Sequence, residues 1–534
     1  MPPVQPASPS LAEPVAAARS RPAWRVPALL SGALLALAFP AHPDRPLSWV
    51  YTPAWAWVAL VPLLSALRSA GWRGGFRLGW WTGAVANLLC LYWVAFTEGG
   101  GAAVAVGALL MAAYLGLYTA LFGGCQGWLA QRWGEAAFAL APVLWTAQEY
   151  LLSLGELGFP WLLLGHGQAA FPRLIQHASW LGVYGVSAWV VLVNVLLRGV
   201  TRTRVPSRRR AAFGAGLAVT FALPLLHAAV VIPPAGPHGP QLRVALVQPS
   251  LNLEERWGAA GLERSFAVLE SLSTQTVAQG PELVVWPEMA LSCYLRQRPA
   301  CRQRATEVVD RLGVPVLTGA SDLDEGTGEP YNSAFLLTPG TQETQQYAKM
   351  HLVPFGERTP FRDRIPLLRD VDWSQVTGSL GPAEFARGRQ RTLFTHGRAP
   401  FGALICFEAV FPDLVRRHVA GGARFLVNIT NDSWYGDTAG PYQHARLSVL
   451  RAVENRRSLA RCATSGVSLF VDPYGRTFGA TGLFVAATTV GDLPLVDEAT
   501  FYTRHGDLFA GTCTGLALAA VLAACLARRR GSGE

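Results

Sequence analysis

Between Val26 and Ile232 the chain runs through long apolar stretches that carry almost no charge. Runs of that length, apolar on every face, cannot all be buried in a water-soluble core, so the sequence specifies helices in a bilayer. The candidate spans are Val26 to Phe39, Leu47 to Leu67, Leu78 to Ala95, Ala102 to Ala130, Ala136 to Leu154, Leu181 to Leu197 and Ala211 to Ile232, with an eighth at Leu508 to Ala527. Crossing ~30 Å of hydrocarbon takes about 20 helical residues, so the first run is short and the fourth long. Composition agrees: 51% of residues are hydrophobic, only 15% are charged, and 18 are tryptophan, far from the balance of a soluble domain. Met1 to Ala23 is polar and rich in Pro and Ala. No small-residue cleavage site follows the first apolar run, which therefore reads as an uncleaved anchor.

The arginines orient these spans. Arg19, Arg21 and Arg25 precede the first, Arg68, Arg73 and Arg77 follow the second, and Arg132 follows the fourth. Arg198, Arg202, Arg204 and Arg208 to Arg210 follow the sixth, and Arg528 to Arg530 the eighth. Every cluster falls on one side, while Thr97 to Gly101 and Gly155 to Pro172 carry almost none. By the positive-inside rule both termini are cytoplasmic and the region between the seventh and eighth spans is exported. The expected organisation is a cytoplasmic tail over 1–25, a seven-span membrane domain over 26–234, an exported domain over 241–504, a C-terminal span over 508–527 and a cytoplasmic tail over 528–534. The net charge of +10 is accounted for by the arginine loops without invoking nucleic acid.

Gln241 to Arg504 has a different texture. LRVALVQ, ELVVW, VPVLTGA, NSAFLL, FGALI, ARFLVNIT and GVSLFVD read as strands, and helical patterns occupy about Glu263 to Ala278, Arg302 to Arg311, Pro412 to Ala420 and Tyr442 to Arg456. Strands mixed with helices indicate an α/β layered domain. Cys90, Cys125, Cys513 and Cys525 lie in spans as small packing residues. Cys293 and Cys301, eight residues apart in an exported domain, form either a local disulfide or two free buried thiols. No His/Cys spacing suggests a metal site, and no cofactor is expected.

Three reactive side chains stand at strand ends: Glu288 in ELVVWPE, Lys349 in QQYAK and Cys406 in GALICFE. Each has an ordinary explanation, as a turn acid, a surface charge and a buried small hydrophobe. As a set they supply a base, a fixed cation and a nucleophile. Lys349 is the only lysine in the chain, the other 44 basic residues being arginine. Codon bias could leave one survivor by accident. A position needing a compact ammonium that a planar guanidinium cannot replace would also keep it. His351 and His444 could be imagined as partners of the cysteine, but read better as satisfied polar residues. Glu149, inside the fifth run, is costly in a span and either lines a wet cavity or reaches the interface.

VVWPEMAL, AKMHLVPFGE, ICFE and NDSWYGD, in that order, resemble the nitrilase (carbon–nitrogen hydrolase) superfamily over about Gln241 to Leu493. With a domain of that kind placed after seven spans and before an eighth, and with GFPWLLLGHGQ at Gly158 to Gln168, nearly the whole chain resembles the bacterial apolipoprotein N-acyltransferases. The resemblance implies an αββα sandwich carrying Glu288 as general base, Lys349 as oxyanion stabiliser and Cys406 as nucleophile, assisted by Glu357 and Glu408. Trp257, Trp434 and Tyr435 would shape the acyl and acceptor pocket. Phe407 departs from the family, which often has tyrosine there. The implied setting is the bacterial inner membrane with a periplasmic catalytic domain. The implied partners are a phospholipid donor and a diacylglyceryl apolipoprotein acceptor, joined through a cysteine thioester. A membrane-tethered amidase acting on a soluble substrate is the main rival, and a transporter or receptor a more distant one that leaves the acid, lysine and cysteine unexplained. Phe355 to Phe385, long and irregular yet apolar at Phe361, Ile365, Leu367, Leu368 and Trp373, reads as a lid at the bilayer surface.

Overall fold

The computed structural model describes residues 25–203, 206–234, 239–251, 255, 258–368, 384–395, 397 and 399–530, with side chains to 526. Trp257, Trp373 and most of the second half of the expected lid lie outside these residues.

The apolar runs form helices at Val26–Leu37, Val61–Leu67, Gly71–Cys90, Gly101–Trp133, Ala141–Leu152, Ala178–Thr201, Ser207–Val231 and Leu508–Arg530. Four stretches are long and apolar enough to cross a membrane: Gly101–Leu152, Ala178–Thr201, Ser207–Val231 and Leu508–Leu526. That is fewer than the eight read from the sequence, for local reasons. Pro53 and Pro62 each lie at the start of a short helical piece and break the second run. The first helix stops at Leu37, and the third includes Arg73 and Arg77. The fourth and fifth runs count as one stretch with a break at Gly134, where φ is 61°. The Gly71–Cys90 and Gly101–Trp133 helices meet backbone to backbone: a Cβ on Gly75 would stand 2.1 Å from the Gly123 carbonyl oxygen, and one on Gly79 2.2 Å from that of Thr119.

The region from Gln241 to Pro494 is two sheets face to face between helices. The seven-stranded sheet contains β1 (Gln241–Gln248), β2 (Leu283–Val285), β3 (Leu291–Tyr294), β4 (Val316–Leu323), β5 (Pro330–Leu337) and β6 (Thr344–Ala348). Its order is β13-β1-β2-β4-β5-β6, with β3 also on β4 and β13 (Ala487–Pro494) returning to its edge. The six-stranded sheet contains β7 (Leu393–Phe394), β8 (Phe401–Ile405), β9 (Phe425–Thr430), β10 (Leu459–Ala463), β11 (Leu469–Val471) and β12 (Thr477–Phe478), in the order β12-β11-β10-β9-β8-β7.

Alternation along β1 builds both faces. Leu242, Val244 and Leu246 join Ala403, Ile405, Val427 and Ala460 between the sheets, while Ala245 and Val247 point outward beneath Phe266, Leu269 and Val308. Those last three belong to the Gly258–Val277 and Pro299–Leu312 helices. The latter has Pro299 in its first turn and Gly313, at φ 65°, just past its end. The Pro412–Ala420 and Gly440–Asn455 helices cover the second sheet, so the layers are αββα. The Gly440–Asn455 helix also packs on Ala178–Thr201, and the buried apolar cluster continues unbroken from the membrane helices into the space between the sheets. Cys293 and Cys301 are disulfide-bonded, which decides between the two sequence alternatives.

Candidate active site

The three reactive residues come from both sheets to one end of the sandwich. Glu288 follows β2 after Trp286 and Pro287, and Gly319 makes room for it: a Cβ there would lie 2.7 Å from the Glu288 Cα and 2.5 Å from the Met289 nitrogen. Lys349 ends β6, its amide donating to the Asn332 carbonyl at 2.9 Å. Cys406 follows β8 with φ 52°, a left-handed conformation that costs a non-glycine residue about 1–3 kcal/mol.

Lys349 is 1% exposed and donates to Glu288 Oε1 at 3.2 Å and Glu357 Oε1 at 2.8 Å. Asn332 Nδ2 spans the same two carboxylates, at 2.8 Å to Glu288 and 3.1 Å to Glu357. The second oxygen of Glu288 accepts the Asn431 amide at 2.8 Å, and that of Glu357 the Val353 amide at 2.8 Å. Burial works against the Lys349 ammonium, but Glu288 and Glu357 outweigh it and raise its pKa above the ordinary lysine value. The lysine is therefore charged at any physiological pH. Burial pushes the Cys406 thiol up, Glu288 and Asp432 add to the rise, and Lys349 opposes it. The resting side chain is a thiol that needs a base.

Glu408 does not touch the lysine ammonium. Its Oε1 accepts from Tyr347 Oη at 2.8 Å and from the Met350 and His351 amides at 2.7 and 3.2 Å, and its Oε2 from the Ile405 amide at 2.8 Å. It pins the end of β6 to the end of β8, fixing lysine and cysteine relative to one another. Burial lifts its pKa to about 7 against the pull of the Ile405 and Met350 amides.

Asn332 and a second network escaped the sequence reading. His444 Nδ1 lies 2.8 Å from Asp432 Oδ1 and His444 Nε2 3.2 Å from the Cys406 carbonyl oxygen. Arg461 donates to Asp432 Oδ2 at 2.7 Å and also to Asn428, whose amide reaches the Leu404 carbonyl at 3.2 Å. Burial lowers the His444 pKa and Arg461 adds to the fall, while burial's opposite pull on Asp432 is overcome by Arg461 and His444, which hold it at about 2. A neutral His444 ring has one N–H to give, either to Asp432 or to the Cys406 carbonyl, and both of its nitrogens face these oxygens and not the thiol. His351 packs on Phe411 with ring centroids 4.3 Å apart.

The roof of the site is aromatic and comes largely from the membrane half. Trp161 packs on Phe407 and His444 at 6.4 and 5.0 Å between centroids, Phe159 on Phe407 at 5.6 Å, and Trp93 on Tyr435 at 4.6 Å. Trp93 and Trp161 both donate to Gln443 Oε1, at 3.2 and 3.0 Å. Trp434, half-buried, accepts the Glu98 amide on its carbonyl at 3.1 Å. The ring of Phe407 packs in this stack, where a hydroxyl plays no part. Glu149, 2% exposed, accepts from Trp145 and the Leu164 amide, each at 2.8 Å, and so holds the Gly158 to Gln168 loop that presents Trp161. Glu149 is thus enclosed by protein. Among the described residues no group of His, Cys, Asp or Glu could hold a metal ion.

Residues 31–196 match the family model described as apolipoprotein N-acyltransferase N-terminal domain, and residues 243–501 the carbon-nitrogen hydrolase model. A curated apolipoprotein N-acyltransferase of Geobacter metallireducens is 36% identical over 94% of this chain and 95% of its own length. One from Chlorobaculum tepidum is 34% identical over 94% and 96%. Among solved structures, an amidase from Nesterenkonia sp. AN1 covers 51% of this chain and 97% of its own at 21% identity and a TM-score of 0.38. Saccharomyces cerevisiae Nit3, of the nitrilase superfamily, covers 47% and 89% at 20% identity and a TM-score of 0.37.

Proposed function

The chain belongs to the apolipoprotein N-acyltransferase family, and from that premise we propose that it moves an acyl chain from a membrane phospholipid, through a thioester on Cys406, to the α-amino group of a lipoprotein's N-terminal diacylglyceryl-cysteine. The observation that carries this reading is the placement of Cys406 between a buried Glu288–Lys349–Glu357 cluster and aromatic rings supplied by the membrane half. A tethered hydrolase would need only an anchor. Here the membrane segments pack on the turn that carries the nucleophile.

In the first half-reaction Glu288 takes the thiol proton and the sulfur attacks the ester carbonyl carbon of the phospholipid. Lys349 faces the oxyanion of the tetrahedral intermediate. The ester C–O bond then breaks, and the lysophospholipid leaves with the proton held by Glu288. In the second half-reaction the lipoprotein amine attacks the thioester carbonyl, the C–S bond breaks, and Glu288 passes the amine's proton to the departing thiolate. Both steps use one base and one cation, which fits a ping-pong sequence. Trp434 and Tyr435 would flank the acyl and acceptor groups. Trp257 is assigned the same role on family resemblance, without a described position.

In this reading all eight helical segments cross or enter the bilayer, with both termini cytoplasmic and the sandwich periplasmic in the bacterial inner membrane. Incubating the purified protein with phospholipid and no acceptor should leave one acyl mass on the Cys406 peptide. Turnover with no adduct there would rule out the thioester. A reporter active only outside the cytoplasm should respond when fused after Gly236 and stay silent after Arg204; the reverse would overturn the orientation.

A further inference from the structure

At the end of the membrane helices away from the sandwich, a single carboxylate gathers three guanidinium groups. Glu135 Oε1 accepts from Arg68 at 2.7 Å, and Oε2 from Arg198 at 2.9 Å and from Arg202. The four residues lie at the ends of three elements. Arg68 caps the Val61–Leu67 helix, Glu135 sits in the turn after Gly101–Trp133, and Arg198 and Arg202 close Ala178–Thr201. From Val183, just past the kink at Gly182, the helix rises about 22 Å to Arg198, so the cluster lies at the far end of that helix from the contact of Val183 with the sandwich. The active site plays no part in it.

The charges in the cluster do not balance. Three guanidinium groups share one carboxylate, leaving two positive charges in excess. Arg198 is 5% exposed, with its face 3.8 Å from the Phe138 ring centroid, and its Nε–H has no hydrogen-bond partner. Arg68 and Arg202 keep 47% and 36% of their side chains exposed, so further donors point outward. Arg210 joins the same rim through its bond to the Val200 carbonyl at 3.1 Å. Two half-exposed guanidinium groups with outward donors, held beside a buried one, and surplus positive charge call for a second anion with several acceptor oxygens.

We propose that Arg68, Arg198, Arg202 and Glu135 form a binding site for the phosphodiester of an anionic phospholipid in the leaflet opposite the catalytic domain. Glu135 holds the three arginines in a fixed fan, and the lipid phosphate bridges the outward N–H groups of Arg68 and Arg202. The acyl chains lie along the exposed apolar surface of the neighbouring Ser207–Val231 helix, where Val219 and Leu223 are 54% and 61% exposed. A charge-assisted contact of this kind favours an anionic over a zwitterionic headgroup.

The test uses the full chain in nanodiscs of phosphatidylethanolamine containing ether-linked phosphatidylglycerol, which offers no acyl ester to Cys406. After release, native mass spectrometry should detect a retained phosphatidylglycerol adduct on the wild type and on Cys406→Ala. The Arg68→Gln/Arg202→Gln variant should retain at least tenfold less. An Arg208→Gln/Arg209→Gln variant, which removes equal charge nearby, should retain it fully. Correct folding of the two arginine variants is checked by the acyl adduct on Cys406 with an ester-linked donor. Equal retention by the Arg68/Arg202 variant, or equal loss from the Arg208/Arg209 variant, would overturn the site. Thermal stabilisation of detergent-solubilised protein by inorganic phosphate, with none from the lipid, would show a free-anion site and also reject the proposal.

Discussion

The two sheets of the sandwich divide the chemistry unequally. The seven-stranded sheet carries the charged partners, Glu288 after β2 and Lys349 after β6, with Asn332 on β5 between them. Its outer face is closed by two helices and its charged edge pairs, such as Arg243–Asp492 and Arg296–Asp322, are partly exposed. The six-stranded sheet carries the nucleophile, and its polar residues are buried: Arg461, Asp432, His444 and Asn428 are 0–1% exposed and bonded to one another or to the Cys406 turn. The first sheet supplies the base and the cation, and the second the left-handed turn of the nucleophile. Over the second sheet, the Gly440–Asn455 helix packs on the membrane helix Ala178–Thr201.

The largest effect should come from the charged side of that division. Lys349→Arg should lower acyl transfer by about 10²–10³-fold, the range for losing one oxyanion donor, because a guanidinium does not fit a 1%-exposed site. Lipid-dependent transfer in detergent would measure it, and near wild-type turnover would mean that charge alone suffices. Asn332→Ala should cost less, about tenfold in kcat, since it removes the bridge between Glu288 and Glu357 but leaves the lysine to hold both.

His444→Ala probes the strained side. It leaves the Cys406 carbonyl with Asn428 alone, at 3.4 Å, and removes a ring from beneath Trp161, so thermal stability should fall by ~1–3 kcal/mol as a buried polar network loses a member. Alkylation of Cys406 by a small thiol reagent should change rate with it. A variant stable as wild type yet inactive would make His444 chemical and not positional.

On the side of the six-stranded sheet, pH acts on stability in two opposite directions. The folded-state pKa values of Glu408 and Glu454 are raised to about 7 by burial, above the ordinary ~4.3 of glutamate. Between those values the folded state binds more protons than the unfolded, so stability is fullest below about 4.3 and is lost as pH rises to about 7. Asp432, held at about 2, runs the other way, and its contribution disappears only as pH falls below ~4. The melting temperature of Glu454→Gln should therefore be flatter than wild type between pH 4.5 and 7. Parallel curves would show that Glu454 is ionised throughout.

The same division explains what could be read without coordinates. Glu288 and Cys406 were legible because each follows an apolar strand, and Lys349 because it is the one lysine of the chain and follows a strand. Asn332 sits inside PYNSAFLL and looks like any polar-face residue. Asp432, His444 and Arg461 are separated by helix and strand, and only the stacking of β9, β10 and the Gly440–Asn455 helix brings them together. Proline and arginine interrupt several of the apolar runs, so four stretches, against eight expected spans, stand as long apolar helices by length and composition.

The smallest expected effect concerns the border between the halves. The segment after Lys349 is tied to the membrane region by Glu156, which accepts the Phe361 amide at 2.7 Å and pairs with Arg387 at 3.1 Å. Between those ties Ile365 and Leu367 stand 46% and 79% exposed, an arrangement that leaves apolar side chains facing outward close to the bilayer. If they guide lipid toward Cys406, replacing Ile365, Leu367 and Leu368 together with serine should raise the KM for phospholipid several-fold. Alkylation of Cys406 by a small soluble reagent should hold its rate, since none of the three contributes to the Glu288–Lys349–Glu357 cluster. Equal loss in both assays would mean that the segment braces the site instead of serving its substrate, and the lid reading would fail.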